Sequence, residues 1–386
     1  MLLKIRMKIE PINPSMAAQK TTITTPGRIN LIGDHTDYNN GWALPGAIDR
    51  YITVSVKPIM GNQAVVVSRE LEEEVSIDLD HPKSLGGWTE FPVNVVKIAQ
   101  RKRLPIRGFH AKIKTTLPIG GGLSSSAALL CGFIQGLSDL FEWQLEPMQI
   151  AVMAQEVEQN AVGVQCGLMD QVACMRSKKD HLMLLDCQSL AYQYIPVELS
   201  EHELLLLNTN IRHQLSDSAY NQRREECVEA ISILQKKIPK ITSLRNIALQ
   251  DLTAHQNLLP KFLFNRCHHV LTENERVHNV AQYLLKGTWK ELGQTLYKSH
   301  ESLQKRYEVS CLELDYLVDY TKKTNAVLGA RMMGGGFGGC TINLIQSAEK
   351  DAFLECVTED YFNEFGLDLS ILSVNLSDGM MIEPAW

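Results

Sequence analysis

No Cys-x-x-Cys pair occurs in the 386 residues, and the nine cysteines are odd in number and scattered from Cys131 to Cys356. A disulfide framework needs an even set at regular spacing and a zinc ribbon needs close pairs, so neither is indicated and reduced thiols in a cytoplasm fit better. The run Cys267-His268-His269 does not change this, because adjacent ligands without a second cluster make a poor metal cage. Long apolar runs are missing too. Lys4, Arg6 and Lys8 interrupt the apolar stretch at the N-terminus, which leaves no continuous core for a secretory signal. Nothing approaches the length that spans a bilayer, so a soluble protein that does not engage a membrane is expected. Positive charge is not in excess: 38 Lys plus Arg stand against 44 Asp plus Glu, a net charge of −6. That balance argues against a nucleic-acid binder, which needs a basic footprint.

What is present suffices for packed cores, with 45% hydrophobic and 21% charged residues, and the length favours two domains over one. The 25 glycines are an ordinary total but are unevenly placed: they cluster at 120–122 and 334–339, and none falls between 168 and 286. Thr21–Arg50 reads as turn-rich. Period-two stretches at Tyr51–Val56, Ala64–Ser68, Val75–Leu79 and Gly108–Thr115 read as strands. Helices are expected from Ser124 to about Phe141, from Pro147 to about Asn160, over 217–237, and from Thr272, where Thr272-Glu273-Asn274-Glu275 has a capping-box pattern. Near the C-terminus the expected order is helix (311–324), glycine loop, strand (341–345), helix (350–364) and strand (371–376). Segregation in some places and alternation in others gives an α+β class.

Four segments carry chemistry. Pro26–Gly41 (PGRINLIGDHTDYNNG) packs Arg28, Asp34, His35, Asp37, Tyr38 and several amides between two turn-forming ends. That density suits a polyhydroxylated ligand and also suits a solvated polar loop. Leu117–Ala128 (LPIGGGLSSSAA) lets the backbone curl around an anion just where a helix begins, so that unpaired N–H groups and the positive dipole end face it. No Gly-Lys-Ser/Thr follows, which excludes a Walker A loop. Arg331–Cys340 (RMMGGGFGGC) formally contains G-x-G-x-x-G but precedes a strand instead of opening a helix. A glycine loop allowing close backbone approach is the better reading than a dinucleotide fingerprint. Cys166–Gln171 (CGLMDQ) supplies Asp170 downstream of Glu156 and Glu158. A lone Asp is usually a cap or a surface charge. Beside an arginine and an anion site it suits phosphoryl transfer, which needs a carboxylate at the attacking hydroxyl, a cation at the phosphoryl group and Mg²⁺ on the leaving phosphates.

In this order the segments resemble the GHMP small-molecule kinases. Gly27–Asn39 follows the galactokinase-branch signature G-R-[VI]-N-L-I-G-E-H-T-D-Y-N except at Asp34, where the family has Glu. Pro118–Ala127 resembles the second motif and Gly334–Gly339 the third, and Cys166–Gln171 matches CGIMDQ with Leu168 for Ile. Asn210-Ile211-Arg212-His213, Ser218-Ala219-Tyr220 and Arg223-Arg224 resemble a further family segment, so that the likeness runs from about residue 24 to the C-terminus.

The resemblance implies a two-domain fold, ribosomal-S5-like over 1–200 and ferredoxin-like over 201–386. The implied activity is ATP-dependent phosphorylation of galactose at its anomeric hydroxyl by a cytoplasmic monomer. Asp170 would take or orient the hydroxyl proton and Arg28 would offset charge on the transferring phosphoryl. Asp34, His35, Asp37, Gly167, Asp170 and Tyr220 would contact the sugar. Gly120, Gly121, Gly122, Leu123, Ser124, Ser125 and Ser126 would cradle ATP, and Ser126 with Glu158 would bind Mg²⁺. Trp88–Val95 stands where many members carry an aromatic followed by Tyr that helps wall the nucleotide base, and it departs from that pattern. The shorter Asp34 leaves another sugar, such as N-acetylgalactosamine or L-arabinose, as an alternative. A non-catalytic galactose sensor is disfavoured because Ser125-Ser126-Ala127-Ala128, Arg28 and Asp170 are all in place.

Overall fold

The computed structural model describes residues 20–118, 121–212 and 216–383. Its first half runs β1 (Thr21–Asn30), β2 (Trp42–Ala43), β3 (Pro45–Pro58), β4 (Gln63–Ser68), β5 (Glu73–Asp78), α1 (Glu90–Arg101) and β6 (Phe109–Thr115). Then follow α2 (Ser125–Leu140), α3 (Pro147–Val162), α4 (Met169–Arg176), β7 (His181–Asp186) and β8 (Tyr192–Pro196). The second half comprises β9 (His202–Arg212), α5 (Ser216–Gln235), α6 (Leu249–Ala254), α7 (Lys261–Lys286), α8 (Trp289–Ser302) and α9 (Leu312–Thr321). It ends with β10 (Val327–Met332), β11 (Gly338–Gln346), α10 (Lys350–Phe365), β12 (Ser370–Val374) and β13 (Met381–Glu383).

Among the described residues the strands form three sheets, ordered β13-β1-β3-β6-β4-β5, β10-β11-β9-β12 and β2-β7-β8. Strands and helices mix as an α+β chain does. The last strand returns to the first: β13 pairs antiparallel with β1. No described helix is long and apolar enough to cross a membrane.

Two close approaches position the site. Helix α2 lies directly on β1 and β3, because a Cβ on Gly132 would come within 2.7 Å of Thr25 Oγ1 and one on Gly136 within 3.2 Å of Val56 Cγ2. This presses the first turn of α2 towards the end of β1. Helix α8 meets β10 backbone to backbone, with Gly293 and Gly329 facing each other; a Cβ on Gly329 would lie 2.3 Å from Gly293 Cα. Strand β10 leads into the glycine run 334–339, which therefore joins two antiparallel strands, β10 and β11.

Three expectations are corrected. Thr21–Arg50 is not mainly turns: β1 occupies its first ten residues, and Pro26-Gly27 marks a register shift between Pro26 and Arg28 instead of a chain reversal. Such a bulge re-aims the following side chain. The β-branched run Thr21–Thr25 was the strand signal. Thr272 does not start a helix. It lies inside α7, and its hydroxyl donates back to the His268 carbonyl at 2.8 Å, the mid-helix use of threonine that mimics a cap in sequence. The glycine loop is preceded by β10, a strand not expected there, because Gly329 and Arg331 break its apolar pattern.

Substituting Gly329→Val tests the α8–β10 approach. Overpacking against backbone leaves little room for relief, and a loss of about 3 kcal/mol in urea unfolding is expected; a loss under about 1 kcal/mol would mean that the two elements can separate freely.

Candidate active site

The four segments converge on one cavity of ≈ 540 Å³, with Arg28, Asp37, Ser126, Glu158, Asp170 and Gly335 among its lining. Arg28 is its organising group. The bulge in β1 turns this buried side chain so that Nε donates to Asp170 Oδ1 at 2.7 Å, Nη2 to Asp170 Oδ2 at 2.9 Å and Nη1 to the Gly122 carbonyl at 2.7 Å. The planar guanidinium thus takes the carboxylate as a fork, the geometry in which Arg is strongest. Asp170 stands in the first turn of α4, and Ser124 donates its hydroxyl to Oδ2.

The chain from Gly121 to Ser124 turns sharply. Gly122 has φ +68° and Ser124 φ +57°, left-handed values that glycine adopts freely and serine seldom does. The turn delivers the chain into α2, whose first N–H groups have no partner within the helix and open on the cavity at Ser125 and Ser126. Ser126 donates to Glu158 Oε1, and Gln171 to Glu158 Oε2 at 2.7 Å. Burial, with the Asp170 charge adding to it, raises the Glu158 carboxyl above its ordinary pKa. A buried carboxylate beside a hydroxyl at a helix start is a set of hard oxygen donors, the kind that suits Mg²⁺.

Asp34 is held on all sides. Its Oδ1 accepts from Asn30 Nδ2 at 2.7 Å, and its Oδ2 accepts from the Gly334 amide at 3.1 Å and from Arg331 Nη2. Arg331 is fully buried and also donates from Nη1 to the Asn30 carbonyl at 3.2 Å. The residue expected to touch a sugar is therefore also half of an ion pair that ties the loop after β1 to β10. His35 uses both ring nitrogens, on Tyr38 and on the Gly335 carbonyl, and burial pushes its imidazolium pKa down to about 3. Asp37 moves the other way. Burial first, and the Asp170 charge second, push its carboxyl up to about 6. Gly167 abuts it so closely that a Cβ there would lie 2.2 Å from Asp37 Oδ2. Tyr220, from α5, completes this end of the cavity.

Residues 16–58 match the galactokinase galactose-binding signature, 90–178 the GHMP kinases N terminal domain and 280–363 the GHMP kinases C terminal domain. Galactokinase of Thermotoga maritima is 38% identical over 358 residues, which cover 93% of this chain and 99% of that one. The crystal structure of Lactococcus lactis galactokinase complexed with galactose superposes with a TM-score of 0.89 at 32% identity, covering 95% of each chain. The chain belongs to the galactokinase family. Mevalonate kinase of Methanococcus jannaschii shares the fold at 20% identity, TM-score 0.66, covering 92% of this chain and 98% of that one. The architecture is thus that of the GHMP kinases, and residues of the galactokinase-like segments lie around one cavity.

Of the residues singled out in the sequence, Gly120 and His213 lie outside the described residues. The third glycine motif packs on the second: a Cβ on Gly334 would stand 3.5 Å from the Gly122 carbonyl oxygen. Sequence reasoning missed Arg331 as a partner of Asp34, although a lone Arg in the apolar strand VLGARM was a signal, since such a charge is buried only when paired. It also named only a stretch, Trp88–Val95, as the candidate wall for a nucleotide base. Trp88 and Phe91 line the cavity with Leu71, Leu129 and Val162, an apolar end suited to a flat ring.

Two measurements test this electrostatic picture. Asp34→Asn keeps the shape but leaves Arg331 buried without a counter-charge, and unfolding stability should fall by about 3–5 kcal/mol; a fall below about 1 kcal/mol would show that the pair is not needed. Carbon-13 titration of the Asp37 carboxyl should give a midpoint near 6. In Asp170→Asn it should move down but stay above the ordinary value, because burial is the larger cause. The sign for stability follows: with the native pKa above the unfolded one, this group's contribution declines as pH rises through about 4 to 6. A midpoint near 4 in the unaltered protein would refute the assignment.

Proposed function

We propose that the chain transfers the γ-phosphoryl group of ATP to the anomeric hydroxyl of galactose, giving galactose 1-phosphate. The observation that carries this reading is the Arg28–Asp170 fork, set between the start of α2 on one side and the Asp34–Asp37 loop on the other. Membership of the galactokinase family supplies the reaction class.

Asp170 receives or orients the proton of the attacking hydroxyl. Its carboxylate is aimed by Arg28 and Ser124 and keeps about a third of its side-chain surface open to the cavity, at 29%. Of the five N–H donors on a guanidinium, Arg28 commits three to protein partners. The remaining two can face the transferring phosphoryl and offset its equatorial charge. The loop Gly120–Ser126, with the first amides of α2, cradles the nucleotide phosphates, and Trp88 and Phe91 wall the base. Ser126 and Glu158 hold Mg²⁺, which when bound neutralises charge on the leaving phosphates. Asp34, His35, Asp37, Gly167, Asp170 and Tyr220 surround the sugar; carboxylates and imidazole bind its hydroxyls, and Gly167 leaves room for Asp37.

The cysteines are all unpaired, in keeping with a cytoplasmic enzyme, and we take that enzyme to be a monomer. We take the boundary between the two domains to lie near residue 200, in the turn between β8 and β9.

The decisive experiment is a panel of sugars with ATP and Mg²⁺, followed by NMR of the product. Galactose phosphorylated at C1 is expected to dominate; no turnover with galactose, or phosphate on another carbon, would sink the reading. Asp170→Asn should lower kcat by about 10²–10⁴-fold while galactose binding remains measurable, and near-normal turnover would remove Asp170 from its role.

A further inference from the structure

Three aromatic rings close around His35: Tyr307, Tyr220 and Tyr38, with centroids at 4.9, 5.2 and 5.8 Å. The two imidazole nitrogens face different chemistry. Nε2 lies 3.2 Å from the Gly335 carbonyl oxygen, which can only accept, so in the neutral ring the proton sits on Nε2. Nδ1 then bears a lone pair, and the Tyr38 hydroxyl 2.8 Å away must donate to it. With that hydrogen committed, the Tyr38 oxygen accepts from the Tyr307 hydroxyl at 2.8 Å. The Tyr307 oxygen in turn accepts from the Cys227 thiol at 3.2 Å. The hydrogens thus run in one direction, from Cys227 through Tyr307 and Tyr38 to His35 and Gly335. Burial keeps each member in the required form: it pushes the Cys227 thiol up to about 11 and both phenols well above their ordinary values.

Tyr307 is itself held firmly. It closes a π-helical turn, Leu303–Tyr307, that continues α8, and Glu308 after it is left-handed with φ +57°. Helix ends leave carbonyls without partners, and π turns are uncommon and often mark functional positions. Here two buried arginines collect those carbonyls. Arg223 donates from Nε to the Tyr307 carbonyl at 2.7 Å and from Nη2 to that of Glu308 at 2.9 Å, and Arg266 donates to the Arg306 carbonyl. Glu226 joins the two guanidinia, accepting from Arg266 Nε at 2.6 Å and from Arg223 Nη1 at 3.2 Å. The same turn anchors the third glycine loop. The Phe337 amide donates to the Val309 carbonyl at 2.7 Å, and a Cβ on Gly336 would stand 2.1 Å from that oxygen. One turn therefore fixes both partners of the His35 ring, Tyr38 on Nδ1 and Gly335 on Nε2.

We propose that Tyr307, acting through Tyr38, is a positioning residue that holds His35 in its Nε2–H form and so makes it a hydrogen-bond donor to the sugar. The proposal rests on the galactose reading of the cavity. At 3.2 Å the bond to Gly335 is at the long end for N–H···O, so a sugar oxygen can share or take over the Nε2 hydrogen. Nδ1 cannot serve as the donor while Tyr38 occupies it.

Tyr307→Phe and Tyr38→Phe each remove one hydroxyl and little volume. Nitrogen-15 NMR of histidine-labelled protein without substrates reads the tautomer, with the His35 signals assigned by their loss in His35→Gln. The unaltered protein should carry its proton on Nε2. Tyr38→Phe should give a mixture of tautomers, and Tyr307→Phe a smaller shift in the same direction. In steady-state kinetics both variants should raise KM for galactose about fivefold or more, with KM for ATP within about twofold of its starting value. The proposal is overturned if His35 is protonated on Nδ1, if Tyr307→Phe leaves either the tautomer or the sugar KM unchanged, or if both KM values rise alike, as a purely structural role would have it. The tautomer is read without substrate. A protein that turned over no galactose would therefore sink the function reading, while the relay would still be decided by the NMR result.

Discussion

The guanidinium of Arg28 is the joint on which the site depends. It bonds Asp170, 142 residues away in sequence, and the Gly122 carbonyl, 94 residues away. A buried guanidinium is costly unless its donors are paired, and here the pairing joins β1, the Gly121–Ser124 loop and α4 at one point. None of the three can drift without exposing a charge to an environment that cannot solvate it. The bulge at Pro26-Gly27 belongs to the same constraint, since a regular β1 would send the side chain elsewhere. Under the proposed reaction this joint is what keeps the acid, the cation and the phosphate loop in mutual register.

A second constraint is the absence of side chains at points of contact. Gly334 meets Gly122, Gly336 meets Val309, and Gly293 meets Gly329. Each contact brings backbone against backbone, and together they fasten the loop after β10 to the Gly121–Ser124 loop, to the π turn and, through β10, to α8. The loop can therefore present fixed groups to the cavity, namely the Gly334 amide to Asp34 and the Gly335 carbonyl to His35. Glycine here gives proximity, and the rigidity comes from the carbonyls and amides that proximity lets meet.

Much of the site was legible because its chemistry is local in sequence. The polar run 26–41, the glycine-serine run before α2 and Cys166–Gln171 each carry their residue types within a few positions, and the phosphate-site argument needed only a helix following glycines. The pairings were not legible, because they are made between segments. Nothing near Asp34 announces Arg331, and nothing near His35 announces Tyr307, which reaches it through a π turn that leaves no pattern in a sequence window. Two local readings failed for a related reason. Pro26-Gly27 suggested a turn where the neighbouring strand β3 imposes a bulged strand, and Thr272 imitated a cap inside a helix whose packing carries it through. In both, tertiary contacts overrode a short-range preference.

The charges in the cavity divide in an informative way. Besides the exposed Glu70, four carboxylates line it, and two of these four have a guanidinium of their own: Asp170 has Arg28, and Asp34 has Arg331. The other two, Asp37 and Glu158, lack one, and these are the carboxyls that burial pushes upward. Raised carboxyls are sites that still want a partner for their charged form. Under the proposed roles the missing partners are the substrates themselves: sugar hydroxyls donating to Asp37, and Mg²⁺ accompanying the nucleotide at Glu158. Each would favour the ionised carboxylate, so binding and proton release are coupled at both carboxyls. The Arg28–Asp170 fork between them is already compensated and has no such demand. Substrate arrival would therefore change the charge at Asp37 and Glu158 while leaving the geometry of the reacting centre in place.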